Sequence, residues 1–348
     1  MFKIGKRIIS RNHKPFIIAE ISGNHKGSLN RALKIIRSAK KAGASAVKLQ
    51  TFDLNEITIN SEKNYFRIND RASPWNGKKL FDLYTKAITP KKWHKKIFNF
   101  AKKNRIICFS SVFDFKSLDY LEKLDCPAYK IASFENNHFP LIEKVANTMK
   151  PVIVSTGMTQ LREIQEIRKI FIKTKNKNFA FLKCTSSYPS HPSSSNLKSI
   201  ELLRDKLNCE IGLSDHTKGI GAAVASIAFG ATIIEKHIVL KNNDGSVDKD
   251  FSLPPQEFRS LVKETFAAWE ALGQKKFKID KTEIKNSRLK RSIFVVRNIK
   301  KGDKINYKNI KIIRPGYGLH PKYFEKVIGK TAKKNIMQAT PLKLSFIK

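Results

Sequence analysis

Two short stretches carry the clearest chemistry in this chain, Gly212-Leu-Ser-Asp-His216 and Ile233-Ile-Glu-Lys-His237, each an apolar run that breaks into polar residues at a histidine. The piece between them, Ala222 to Phe229, has the length and composition of a buried helix. If both runs are strands of one parallel sheet, His216 and His237 leave neighbouring strands at the same edge and can face one metal ion. Other β-rich runs end in the same way. Glu20 closes the first, with Asn24 and His25 beyond it, and Lys48 and Gln50 share one face of the second. Ser110 and Ser111 end the third, Lys130 and Ser133 the fourth, Ser155 and Thr156 the fifth. Thr185, Ser186 and Tyr188 follow the sixth, and Ser214 stands two residues before His216. Lysines inside apolar strands are expensive unless an anion pairs them, so Lys48 and Lys130 point to a phosphate or carboxylate ligand. Hydroxyls at successive strand ends supply the neutral donors such a ligand needs. Taken singly, each has a plainer reading: a structural histidine, a snorkelling lysine, serines as turn residues, Asp215 as a partner that orients a histidine. It is their recurrence that points to a site.

The elements that must position these groups are eight β-rich runs: Phe16–Ile21, Ala46–Gln50, Ile106–Ser110, Ala128–Ala132, Val152–Thr156, Phe179–Cys184, Glu210–Leu213 and Thr232–Glu235. Helical patterns or longer connections separate them, and a last helix is expected over Pro255–Leu272. Continuous apolar strands joined by amphipathic helices require crossover connections and hence a parallel sheet, and eight units favour a closed (β/α)8 barrel over an open doubly wound sheet. In that fold every residue named above projects at the C-terminal face, where active sites are built. Ser28 or Asn30 can cap the first helix and Gly43 can end it. Thr89-Pro90 starts another, with proline at its first position. The connection from Thr51 to Ala87, which contains Ser73-Pro-Trp-Asn-Gly77, is too long for a simple turn and reads as a functional lid.

After Gly273 the pattern changes. The expected division is a catalytic barrel over 1–273, a polar linker over 274–287 and a small, loop-rich β domain over 288–348, whose size is marginal for independent stability. At 348 residues with 41% hydrophobic content the chain can bury a large core. Its formal charge is +39, with 22 Lys and Arg against 4 Asp and Glu from Lys275 onward. A field of that sign draws in phosphates and carboxylates. Nucleic acid is not expected, because no basic helix face, aromatic-interleaved motif or zinc-finger spacing accompanies the charge; solvated lysine-rich surface accounts for it. Four cysteines without a Cys-x-x-Cys pair read as reduced thiols; no apolar segment follows the N-terminal charges as a signal peptide would, and the longest uncharged run, Gly219 to Ile234, is short of a membrane span. A soluble cytoplasmic protein is the expectation.

Assembled, these stretches resemble the sialic acid synthase family over essentially the whole chain. The matching segments are Ala19-Glu-Ile-Ser-Gly-Asn-His25, Val47-Lys-Leu-Gln-Thr51, Phe109-Ser-Ser-Val-Phe113, Tyr129-Lys-Ile-Ala-Ser-Phe-Glu135, Val154-Ser-Thr-Gly-Met158, Cys184-Thr-Ser-Ser-Tyr-Pro189, Gly212-Leu-Ser-Asp-His216 and Ile234-Glu-Lys-His237. Arg291-Ser-Ile and Ile313-Arg-Pro-Gly-Tyr-Gly318 are similar to the antifreeze-like (SAF) domain that ends these enzymes. Within the family, Lys130 to Glu135 and Trp75 to Pro90 look most like the pseudaminic acid synthases, whereas N-acetylneuraminate enzymes usually have glycine at the position of Ala132 and another residue at Phe134.

The resemblance implies a TIM barrel with a C-terminal SAF domain and condensation of phosphoenolpyruvate with an amino-sugar aldehyde. It implies that His216 and His237 bind a divalent metal, usually Mn2+, with Mg2+ or Co2+ as alternatives. Lys130, Ser111, Ser133, Ser155 and Ser214 would hold the phosphate, Lys48, Gln50 and Tyr188 the carboxylate and enol, and Glu20 and Asp248 protons and sugar hydroxyls. Glu20 is the first choice for the base that activates water. Arg314 would reach the partner's sugar site in a domain-swapped homodimer. Ser186 stands where asparagine is common in the neuraminate synthases and Ser111 where threonine is; both keep hydrogen bonding, so the departures bear on specificity. The expected substrate is 2,4-diacetamido-2,4,6-trideoxy-altropyranose, with an N-acetylneuraminate or legionaminate synthase on another amino sugar as the alternative. A non-catalytic basic protein binding polyanions is the reading from another class; it leaves the polar strand ends unexplained.

Overall fold

A computed structural model describes residues 2–348 apart from Ala72, Pro74 and Lys275, so that two positions of the long connection and one of the linker lie outside the described residues. The chain divides into two compact units, Met1–Gly273 and Gln274–Lys348.

Unit one opens with a hairpin, β1 (Phe2–Ile4) and β2 (Arg7–Ile9), that buries Phe2, Ile4 and Ile9. It lies at the N-terminal end of the barrel, where the Lys3 amide donates to Asn178 Oδ1, just ahead of the strand that starts at Phe179. The barrel strands are β3 (Phe16–Glu20), β4 (Ala46–Thr51), β5 (Ile107–Val112), β6 (Tyr129–Ile131), β7 (Val152–Ser155), β8 (Phe179–Cys184), β9 (Glu210–Asp215) and β10 (Ile233–His237). All pair in parallel in sequence order, and β10 closes on β3. Their β-branched and aromatic residues are buried on both faces, by neighbours across the barrel on one side and by helices on the other. Helix Leu29–Ala42 shows the outer layer's logic: Ile35, Ile36 and Ala39 fall on one buried stripe. Ser28 Oγ accepts from the Arg31 amide at its start, and Gly43, at φ 94°, supplies the left-handed residue that ends it.

Several boundaries differ from those read in the sequence. β9 and β10 run to Asp215 and His237, two residues further each, because Asp215 and Lys236 satisfy one another across the two strands and allow polar residues to stay in the ladder. The helix expected over Ala222–Phe229 is Gly221–Ser226 only. Pro90 has an extended ψ of 128° and precedes the short 3-10 turn Lys91–Trp93, with the α-helix starting at His94, so it stands outside the helix that it was expected to begin.

His94 ties this outer layer to the barrel. Its Nε2 lies 2.6 Å from Thr51 Oγ1 and its Nδ1 3.2 Å from the Lys91 carbonyl. In the neutral ring Nδ1–H donates to the carbonyl and Nε2 accepts the threonine hydroxyl. Burial pushes the imidazole down to about 4. The unfolded chain, with an ordinary histidine near 6.5, therefore binds more protons than the folded one between those values, so stability rises with pH across that window and is lost as pH falls through it. The expected loss from this residue is about 3 kcal/mol by pH 4. Urea titrations of the wild type and His94→Gln between pH 7 and 4 check it: the variant should show the shallower pH dependence.

Unit two contains the antiparallel pair β11 (Ser292–Val295) and β12 (Ile310–Ile313). Ile293, Val295, Ile299, Ile305 and Ile310 form its small separate core. Among the described residues no helix is long and apolar enough to cross a membrane.

Candidate active site

Parallel register decides which strand ends meet. Glu20 is paired with Lys48 and with His237, Gln50 with Ser111, Ser111 with Lys130, and Ser214 with Glu235. Paired residues on adjacent strands point to the same side, so these pairs stack inside the C-terminal mouth of the barrel. They bound a cavity of about 590 Å³. Glu20, Lys48, Gln50, Lys130, Ser133, Ser155, Ser186, Tyr188, Ser214, His216, His237 and Asp248 all line it. Ser111 lies against it, accepting from Lys48 Nζ at 2.8 Å. Arg314 belongs to the second unit, on exposed chain just after β12.

The cavity floor is a network of buried charges. Lys48 pairs with Glu20 and lies 3.7 Å from Glu235 Oε1, which also accepts from Ser214 Oγ at 3.2 Å. Lys130 donates to Ser155 Oγ at 2.6 Å and to the Ile131 carbonyl at 2.9 Å, and it has no carboxylate partner among the described residues. Burial lowers its pKa, with Glu235 opposing from a distance. Burial would lower Lys48 as well, but Glu20 and Glu235 outweigh it and hold it firmly protonated. Glu20 is raised by burial against the pull of Lys48, which brings a carboxyl toward the range where it can exchange a proton.

Backbone space completes an anion cradle. A Cβ on Gly157 would come within 2.6 Å of Ser133 Oγ and closer still to Ser186 Oγ, so only glycine lets these hydroxyls converge there. The Gly157 amide donates to Ser133 Oγ at 3.2 Å.

The two histidines face each other with ring centroids 5.5 Å apart. His216 Nδ1 lies 3.0 Å from the Thr185 carbonyl, and a donor there leaves the Nε2 lone pair free. His237 Nδ1 is buried without a hydrogen-bond partner among the described residues; its approach to Asp248 Oδ2, at 3.5 Å, is too long for a formed hydrogen bond. No set of three or more His, Cys, Asp or Glu side chains converges as a closed metal cage among the described residues. Two imidazole donors, one of them with an orphaned nitrogen, fit a divalent cation whose other positions stay open to water and substrate. Asp248 is held by Asn24, which is fully buried: its Nδ2 donates to the Ile238 carbonyl and Ser252 Oγ, both at 2.9 Å, and its Oδ1 accepts from the Asp248 amide at 3.3 Å.

Several lining residues escaped the sequence reading, among them Glu235, Glu135 and Cys184. Glu235 shares the inward face of β10 with His237, and period-2 alternation from the histidine would have found it. Glu135 follows Ser133 into the cavity, and burial raises its carboxyl to about 7. Cys184, read only as a buried thiol, lies 3.9 Å from His216 Nδ1.

A closed parallel barrel with buried lysines, hydroxyls and a histidine pair at its C-terminal mouth has the form of a barrel enzyme's active site, with donors suited to an anion. Comparison with known proteins narrows the class. The NeuB family model matches residues 35–277, and the SAF domain model residues 290–348. Pseudaminic acid synthase of Campylobacter jejuni is 44% identical over 330 residues, covering 95% of this chain and 96% of that protein. The Helicobacter pylori pseudaminic acid synthase is 39% identical over 329 residues, covering 94% and 96%. The crystal structure of N-acetylneuraminic acid synthetase from Leptospira borgpetersenii superposes with a TM-score of 0.73 at 32% identity, over 82% of this chain and 94% of that one. The chain belongs to the NeuB family of sialic acid synthases and ends in a SAF domain.

Proposed function

We infer that this chain is a pseudaminic acid synthase, joining phosphoenolpyruvate to the open-chain form of 2,4-diacetamido-2,4,6-trideoxy-altropyranose to give a nine-carbon keto acid and phosphate. The observation that carries the reading is Lys130: a buried ammonium with hydroxyl and carbonyl partners but, among the described residues, no carboxylate partner lacks the counter-charge that a phosphate would supply. Identity with the Campylobacter jejuni and Helicobacter pylori enzymes over nearly the full chain supports the choice of sugar.

In this reading Lys130, Ser155, Ser133 and Ser111 hold the phosphate and Ser214 completes the ring of donors. Lys48, Gln50 and Tyr188 orient the carboxylate and enol, so that carbon 3 faces the sugar aldehyde. Glu20 takes a proton from the water that adds at carbon 2, and phosphate then leaves from the tetrahedral centre. Asp248 fixes sugar hydroxyls. His216 and His237 would hold a divalent metal, with Mn2+ the first choice from the resemblance and Mg2+ or Co2+ the alternatives, and that ion when bound would polarise the aldehyde as a Lewis acid. Arg314 serves the sugar site of a partner subunit in a domain-swapped homodimer, and the enzyme works in the cytoplasm.

The experiment supplies phosphoenolpyruvate, Mn2+ and each candidate sugar and follows phosphate release. Release with the trideoxy sugar is expected. Turnover with N-acetylmannosamine or a legionaminate precursor alone would reassign the enzyme within its family.

A further inference from the structure

The cavity has two unlike sides. Its floor is ionic, whereas its outer wall is apolar, built by the long connection after β4 and by the turn after β6. Ile57, Ile68, Trp75 and Leu80 come from the first and Phe134 from the second, interrupted by Asp70 and Ser73. Tyr188 joins the two sides, lying 4.5 Å from the His216 ring, 5.7 Å from Trp75 and 6.3 Å from Phe134, with which it stacks at 25°. Phe134 is 59% exposed, although it lines a cavity. A large apolar side chain left bare beside the half-buried Trp75, Ile57, Ile68 and Leu80 marks a surface that something else covers.

We propose that this wall, with Phe134 at its centre, selects the sugar by the deoxygenated carbon 6 and the methyl of the carbon-4 acetamido group, at the end remote from the aldehyde. The proposal rests on the function inferred above and deepens it. The reacting aldehyde has to lie beside carbon 3 of phosphoenolpyruvate, and a trianion of that kind belongs with Lys48 and Lys130 on the floor. The sugar therefore extends away from the floor along Tyr188, and carbons 4 to 6 arrive at the apolar wall. A methyl group there covers Phe134 and Trp75. A hydroxyl at carbon 6 would exchange water for carbon neighbours and lose hydrogen bonds. Apolar pockets discriminate modestly, so the expected preference is about tenfold to a hundredfold in kcat/KM.

The test compares kcat/KM of the full chain for the trideoxy sugar and for its analogue carrying a hydroxyl at carbon 6, in wild type and Phe134→Ser. The wild type should favour the deoxy sugar, and the variant should compress the ratio about tenfold, mainly through KM of the deoxy sugar. Phosphoenolpyruvate affinity, measured by calorimetry without sugar, should not change. If Phe134→Ser loses that affinity as well, Leu80→Thr, a smaller change in volume, takes its place with the same expected ratio. Phosphate release with both sugars at a ratio that the decisive variant leaves unmoved overturns this inference alone. No release with either sugar overturns the proposed function, and this inference with it.

Discussion

Lys130→Met is expected to lower kcat/KM for phosphoenolpyruvate about 10³-fold while raising the stability of the free protein. Truncating one side of a buried charge-assisted contact costs about 2–5 kcal/mol in binding, which brackets that loss. The stability argument runs the other way. Lys130 is 1% exposed, has no carboxylate partner among the described residues, and is pushed down by burial. Methionine follows the same path without a charge to desolvate, so the free enzyme should gain about 1–3 kcal/mol. Thermal unfolding without ligand, set beside steady-state kinetics, checks both halves. Lost activity with lost stability would make Lys130 a structural residue, and unchanged affinity for phosphoenolpyruvate would remove it from the phosphate site. Lys48, paired to Glu20, has no such gain in prospect; Lys48→Met should leave the Glu20 carboxylate buried without its partner and destabilise the fold.

His237→Ala is expected to weaken divalent-metal binding at least about 100-fold and to abolish phosphate release, with the barrel still folded. The ring lies 5.5 Å from His216 and 4.8 Å from Phe251, at the tip of β10, where its loss removes little of the core. Metal titration by calorimetry reads the first effect and far-UV circular dichroism the last. Wild-type metal affinity in this variant would remove the histidine pair as the metal site, whatever the activity.

Much of this site was legible because a closed parallel barrel brings strand ends to one face. Glu20, Lys48, Lys130, Ser155, Ser214 and both histidines needed only their strands to be recognised, since the topology then delivers them to one cavity. Glu235 was missed for a local reason. A run ending Glu-Lys-His looks like the start of a loop, and a strand that ends at Glu235 hides its alternation with His237. What keeps those residues in the ladder is the Lys236–Asp215 pair, a contact between strands that no single segment reveals. The apolar wall was less legible still. Ile57, Ile68 and Leu80 lie in a connection with no sustained period, so nothing in their spacing says which of them face the cavity. The roles assigned to Ser186 and Arg314 came from resemblance rather than from residue chemistry.

The alternation in β10 has a consequence for how the enzyme can change. Glu235 and His237 look inward, while Ile234 and Lys236 look outward toward the helices, and Lys236 is buried against Asp215. Deleting or inserting a single residue between Thr232 and Glu235 would exchange the two sets, presenting an ammonium to the cavity and an imidazole to the hydrophobic layer. The phase of the strand therefore survives replacement of a side chain but not a change of length. Changes of length are accommodated in loops such as the one after β4, where insertions leave the barrel's phase untouched.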